Sequence, residues 1–305
     1  MILSVGCNPA VDLILEVDDF RAGALNRVRG KRAAYGGKSM NFLTAAYKMG
    51  IECTATGFMG RRSAPFKNLL KLYNIPAKFV SCPHDVRTNV KIYSSAGMTE
   101  LNDAGFPVTA REQERLISIV SQTGADMMAC CGSLPPEMRE DFYLTLANAA
   151  GPRLQFACDC EKSAMIPALR ANPVLIKPNL AELEAMTGGS LKSFSDIVNA
   201  AGFLIARGAQ TVIVSMGADG AIIVNAAAAF WGQYIQKTEP LNLTGCGDVM
   251  FAAACGALLR GGSQVEILTE AVAAATLSVC SRAISVMDTG RLDEIRANVK
   301  IETVK

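Results

Sequence analysis

The sequence contains a single histidine, His84, and a single tryptophan. One histidine excludes a two-histidine metal site within the chain, and a Ser-His-Asp triad would have to use a residue set in a loop-like stretch beside Pro83 and Asp85. Any general base is therefore expected to be a carboxylate or a lysine. Charge is also sparse: 19% of residues are charged and the formal net charge is +2. No basic excess marks nucleic acid or a membrane surface as a partner. The ten cysteines include no CxxC pair, and most stand in apolar runs. Neither a disulfide framework nor zinc-ligand spacing is present, so they read as reduced, buried thiols of a cytoplasmic protein. No apolar stretch approaches the roughly 18 residues that a membrane span needs. The opening Met1–Val5 lacks a basic flank and soon meets Asp12 and Glu16, which reads as a first strand and not as a signal peptide. Internal repeats, low-complexity tracts and interdomain linkers are absent.

What the chain does have is apolar residues, half of its 305. That suffices for one large α/β domain spanning 1–305. Short apolar runs at Met127–Cys131, Leu154–Asp159, Pro173–Ile176, Thr211–Ser215 and Ala221–Val224 predict strands. Helical segments lie between them with recognisable ends. Thr109 and Glu112 form a capping box for a helix to about Ser121. Asn179 and Glu182 repeat the signal, and Gly188 ends that helix. Ser193 to Arg207 is amphipathic and stops at Gly208. Alternating strands and helices predict a mainly parallel sheet covered on both faces. Residues 11–34 and 87–103 differ, alternating apolar and polar residues with no crossover helix. They predict a small separate sheet over the edge of the main one.

In open parallel sheets, ligands bind beyond the carboxyl ends of the strands, so the loops there carry the chemistry. Thr244-Gly245-Cys246-Gly247-Asp248 feeds an alanine-rich apolar helix. Glycines let the backbone approach an anion, and free N–H groups at a helix start favour phosphate. An aspartate there suits proton abstraction from an attacking hydroxyl; a plain N-cap on a buried helix is the other reading. Gly36-Gly37-Lys38-Ser39-Met40-Asn41 opens a second helix but lacks GxxxxGK[ST] spacing, so it is no P-loop. Its paired glycines admit close approach of a sugar, or form an ordinary turn. Arg87, Asn89 and Lys91, spaced by two, share one strand face. Two cations and an amide there suit a dianionic phosphate, or simply a solvated face. Lys177-Pro178-Asn179, with Glu182, caps a helix and could equally order water around magnesium. Ser215-Met216-Gly217-Ala218-Asp219-Gly220 is a tight turn between strands.

These five segments, in this order, resemble the PfkB group of the ribokinase family over nearly the whole chain. Within that group, Asn8–Asp12, Arg87–Lys91, Thr99–Asn102 and Gly132–Pro136 look like the phosphosugar kinases. The resemblance implies a three-layer α/β/α fold whose small sheet, at 11–34 and 87–103, is a lid that pairs two subunits into a homodimer. It implies ATP and Mg2+ as cofactors and a sugar phosphate as acceptor: fructose 1-phosphate, or alternatively fructose 6-phosphate or tagatose 6-phosphate. Asp248 would be the base, and Gly245, Cys246 and Gly247 would hold the transferring phosphoryl group. Asp12, Gly37 and Asn41 would bind sugar hydroxyls. Lys38, Arg87 and Lys91, with Asn89 between them, would face the substrate phosphate. Lys177, Asn179, Ser215, Gly217, Gly220 and Thr244 would line the nucleotide site, with Glu182 reaching magnesium through water. Four departures from the group's pattern bear on the acceptor: Cys246 for alanine, Ser39 for a third glycine, Cys131 before Gly132-Ser133, and Asp103–Phe106 without Pro-Gly-Pro. A nucleotide-dependent oxidoreductase is disfavoured because the first strand runs into Gly6-Cys7-Asn8-Pro9 with no GxGxxG. A non-catalytic sugar-phosphate sensor remains as an alternative, against which the intact aspartate counts.

Overall fold

The structure is a computed structural model and describes residues 1–304. Among these residues ten strands form one sheet and four form another. The large sheet contains β1 (Ile2–Gly6), β4 (Cys53–Arg61), β5 (Ala77–Asp85), β8 (Met127–Cys131), β9 (Gln155–Asp159), β10 (Leu175–Ile176), β11 (Thr211–Ser215), β12 (Ala221–Asn225), β13 (Ala229–Tyr234) and β14 (Val299–Thr303). Their spatial order is β14-β13-β12-β11-β10-β9-β8-β1-β4-β5. The strands from β5 to β11 run parallel, and β12, β13 and β14 add an antiparallel edge. The small sheet, ordered β3-β2-β6-β7, holds β2 (Ala10–Glu16), β3 (Gly30–Gly36), β6 (Arg87–Ser94) and β7 (Gly97–Leu101). Both regions that the alternation set apart thus lie in one second sheet.

The central strands are continuous apolar runs because helices cover both of their faces. Met127, Ala129 and Cys131 pack into one core and Met128 and Cys130 into the other. The helices Lys38–Lys48, Ala64–Leu72, Cys246–Leu259, Gln264–Val279 and Leu292–Ala297 cover the first face. Ala110–Ser121, Phe142–Ala150, Lys162–Ala168, Leu180–Thr187 and Phe194–Ile205 cover the second. Helix ends fall where cap chemistry places them. Thr109–Glu112, Asn179–Glu182 and Ser193–Asp196 all form reciprocal capping boxes, and Gly188 takes the left-handed conformation after its helix. Strand bounds differ slightly from expectation: β9 begins at Gln155, since the Leu154 amide closes a turn onto the Gly151 carbonyl, and β10 shrinks to Leu175–Ile176, with Pro173 unable to donate to a ladder. No helix among the described residues is long and apolar enough to cross a membrane.

The chain leaves β1 towards β4 and β5, then returns to the other side of β1 for β8. This reversal opens a crevice at the carboxyl ends of β1 and β8, at Gly6 and Cys131, with the second sheet beside it.

Candidate active site

A cavity of about 350 Å³ lies at this reversal, lined by Asn8, Gly37, Lys38, Arg87, Ser133 and Glu182 among others. A second, of about 500 Å³, lies on the far side of Gly36 and reaches Asp12, Asn41 and Thr244. Most of the residues singled out in the sequence border these spaces or touch residues that do.

The helix Cys246–Leu259 is packed between Lys38–Lys48 and Gln264–Val279, with Phe251 against Phe42 at 5.6 Å between ring centroids. That packing fixes its first turn. Gly245, not Asp248, is the N-cap residue, and it adopts φ 78°, a left-handed conformation that side chains disfavour. A Cβ there would also lie 2.9 Å from Asn41 Nδ2. Asp248 is the third residue of the helix, so the plain N-cap reading fails. It is 8% exposed, and its Oδ2 accepts a hydrogen bond of 2.7 Å from Asn41 Nδ2. Burial, reinforced by the nearby Asp159 carboxylate, pushes its pKa up to about 6 against the pull of Lys38, Asn41 and Lys177.

Asp159, which sequence reasoning passed over, ends β9 at 1% exposure. Lys38 Nζ lies 2.5 Å from one of its oxygens and Lys177 Nζ 3.1 Å from the other. Burial alone would raise this carboxyl, but the two ammoniums together hold it below the ordinary carboxylate range. Lys38 is also 3.7 Å from Glu182. Burial tends to lower its pKa, and the carboxylates of Asp159, Glu182 and Asp248 reverse that and raise it. Lys38 therefore bridges Asp159 and Glu182, whereas the sequence reading gave it, with Arg87 and Lys91, to the substrate phosphate. Lys177 is 4% exposed and lies against the glycine turn: a Cβ on Gly247 would come within 3.3 Å of its ammonium.

The face shared by Arg87, Asn89 and Lys91 is not solvated. In β6 and β2, Asp12 stands directly opposite Asn89. Asn89 Nδ2 donates to Asp12 Oδ1 at 3.0 Å, and Lys91 lies 3.2 Å from Asp12 Oδ2 and 3.6 Å from Glu100. Lys91 is thus enclosed between two carboxylates at 7% exposure. Arg87 is different. It donates to the carbonyls of Asn8 and Asp103 and to Ser133 Oγ at 3.4 Å, with no carboxylate within ion-pair distance among the described residues. Burial draws its pKa down, with Glu161, Asp103 and Asp12 acting against that, and a guanidinium stays charged regardless. Ser133, two residues past the end of β8, entered the sequence reading only as part of Gly132–Pro136 and was given no role of its own there.

The remaining residues lie at the neighbouring strand ends. Asn179 and Glu182 cap each other reciprocally at 2.8 Å, and Asn179 bridges Ser215. Gly217 begins a short 3-10 turn, and Gly220 closes it at φ 83° where a Cβ would overlap the Gly232 carbonyl at 2.0 Å. Asn242 Oδ1 holds the Thr244 amide, and Thr244 Oγ1 lies 3.5 Å from the Tyr93 hydroxyl of the second sheet. No cluster of three His, Cys, Asp or Glu able to hold a metal ion occurs among the described residues. A divalent cation would have to keep waters and borrow oxygens from a ligand, as magnesium does. Glu182 fits that demand: one oxygen caps its helix while the other faces only Lys38.

Comparison with known proteins places the chain among sugar kinases. A 1-phosphofructokinase of Haemophilus influenzae is 30% identical, covering 100% of this chain and 99% of the relative. A D-tagatose-1-phosphate kinase of Bacillus licheniformis is also 30% identical, over 99% of both chains. The crystal structure of phosphofructokinase-2 from Escherichia coli superposes with a TM-score of 0.87 at 22% identity, covering 97% of this chain and 98% of that one, which shows the shared fold. The family model described as pfkB family carbohydrate kinase matches residues 1–288, and the chain belongs to that family.

Proposed function

We propose that this chain transfers the γ-phosphoryl group of ATP to a hydroxyl of fructose 1-phosphate, with Asp248 as the general base. The observation that carries this reading is Asp248 itself: a buried carboxylate in the first turn of a helix, behind a glycine turn suited to an anion, within reach of two ammoniums. Phosphoryl transfer chiefly requires alignment and charge stabilisation. Asp248 accepts the acceptor's proton, and Asn41 fixes its orientation. The N–H groups of the Gly245–Gly247 turn receive negative charge from the transferring group. Lys38 and Lys177 flank that path, and the turn at Ser215–Gly220 borders the nucleotide with Asn179. Magnesium, held through water by Glu182, would neutralise charge on the nucleotide phosphates when bound. Asp12 and Asn41 meet sugar hydroxyls, with Gly37 leaving them room.

The substrate phosphate is assigned to Arg87 and Ser133. Lys91 serves instead to neutralise Asp12, since its ammonium already has two carboxylate neighbours. The second sheet is a lid over this cleft, and its closure would exclude water and suppress ATP hydrolysis. Its outer face carries Leu13, Val90 and the 57%-exposed Leu101, which suits pairing with a second copy. All ten cysteines are free and eight are buried, in keeping with a reducing cytoplasmic setting. A tagatose phosphate is the second reading of the acceptor, favoured by the Bacillus licheniformis relative.

The base predicts the pH dependence. With its pKa raised to about 6, Asp248 is ionised at neutral pH, and kcat/KM should fall as pH drops through about 6. The stability sign is opposite. The folded value lies above the ordinary 3.8, so the folded state binds this proton more tightly. The group's favourable contribution is complete at low pH and is lost as pH rises through about 6. Asp248→Asn should therefore not lower the melting temperature at pH 7.5, and relief of the buried charge is worth up to about 3 kcal/mol. A pH–rate profile and thermal melts of both proteins check the two signs. A flat rate between pH 5 and 8 would contradict the assignment.

A further inference from the structure

Asp159 has no part in the transfer just described, yet no other carboxylate of the cleft is so completely enclosed, at 1% exposure. Each of its oxygens addresses a different cation, Lys38 Nζ at 2.5 Å and Lys177 Nζ at 3.1 Å. These lysines come from separate elements: Lys38 begins the helix Lys38–Lys48, and Lys177 follows β10. The backbone holds Asp159 firmly in place. Its carbonyl accepts the Gly132 amide at 2.9 Å, and a Cβ on Gly132 would sit 3.6 Å from Lys38 Cβ. An ion triad that only filled the core would turn its cations away from the cleft. Here Lys38 lines the cavity with Ser133 and Glu182, and Lys177 lies against Gly247 of the anion turn.

We infer that Asp159 is a positioning residue for phosphoryl transfer, the buried anion that aims the Lys38 and Lys177 ammoniums along the phosphate path beside the Gly245–Gly247 turn. This inference rests on the kinase reading above. Asp159 acts through the lysines and takes no proton itself. A single carboxylate addressing two flexible side chains fixes both at once, which lysine stems cannot do alone, since each carries several rotatable bonds. Its charge also reaches Asp248, where it is the second cause, after burial, of the raised pKa.

Asp159→Asn keeps the shape and removes the charge. In that variant kcat should fall roughly 100-fold, the loss expected when charged groups shift by about 1 Å. The KM for ATP should stay level or fall, because two less-compensated ammoniums still attract phosphate. The acid limb of the pH–rate profile should move below pH 6, because Asp248 loses a like charge beside it. Asp159→Glu keeps the charge but displaces it. It should retain the acid limb near pH 6 and still lose kcat, and it carries the test if the asparagine variant does not fold. A kcat within twofold of wild type in either variant overturns the inference. So does a loss of kcat in Asp159→Asn with an unmoved acid limb, which would mark a purely structural ion triad. Failure here is separable from failure of the kinase reading: slowed but measurable transfer in Asp159→Asn leaves that reading standing, whereas it falls if Asp248→Asn turns over normally.

Discussion

Asp248→Asn should lower kcat by roughly 10²–10⁴-fold, the range over which a positioned general base contributes, while dissociation constants for ATP and the sugar phosphate change little. The amide keeps the size of the carboxylate and can still accept the Asn41 hydrogen bond. It cannot take a proton. The helix that carries residue 248 is held by apolar packing on both sides, among it Phe251 against Phe42, and none of that packing involves the carboxylate. Position and surroundings therefore survive the substitution while the proton acceptor is lost. Binding is measured by calorimetry and turnover by coupled ADP release. A kcat within threefold of wild type, with binding intact, would remove Asp248 from the role of base.

Arg87→Gln should produce the second-largest effect, and in a different parameter. Arg87 has backbone carbonyls and the Ser133 hydroxyl as partners, so its charge is uncompensated by any neighbour in direct contact. A charge-assisted hydrogen bond contributes about 1.5–3 kcal/mol. Losing it should raise the KM for the sugar phosphate by roughly 10- to 150-fold, by the same conversion. The KM for ATP should stay near its wild-type value, because the nucleotide lies along Lys38 and Lys177 in this reading. The variant should also lose much of its discrimination between a sugar phosphate and the free sugar, since only the former uses the guanidinium. Steady-state kinetics with both substrates varied checks this. A loss confined to the KM for ATP would place Arg87 on the nucleotide side and overturn the phosphate assignment.

How far the residues alone announce this molecule differs from feature to feature. The β-α alternation is legible because a parallel sheet buried on both faces needs apolar runs such as Met127–Cys131, and because Thr109, Asn179 and Ser193 write helix starts in local cap chemistry. The second sheet is legible because its alternation has a period of two and no crossover helix separates its strands. Side-chain partners are not local in this sense. Lys38 and Asp159 are 121 positions apart, and Asn41 and Asp248 are 207 apart. Nothing in the spacing of Arg87, Asn89 and Lys91 shows that Asp12 and Glu100 will claim the lysine and leave the arginine open, because that follows from the pairing of β2, β6 and β7. Asp159 was hidden for a related reason. It closes an apolar run and reads as a strand boundary until β9 takes its place beside β8 and β10. The general rule that strand carboxyl ends face the ligand would have marked it.

Cys246 illustrates the reverse case, a departure in sequence that the structure absorbs. Its thiol is half-buried and its Sγ lies 3.5 Å from the Asn242 carbonyl, so it tightens the loop that leads into the turn. Burial raises its pKa, which keeps it a neutral thiol beside a site that must receive negative charge.

One assay meets the central claim most directly: ADP release with fructose 1-phosphate, fructose 6-phosphate, the tagatose phosphates and unphosphorylated fructose, each offered at equal concentration with ATP and magnesium. The expected outcome is rapid release with fructose 1-phosphate and little with free fructose. Equal release with the free sugar, or release that ignores every acceptor, would contradict it.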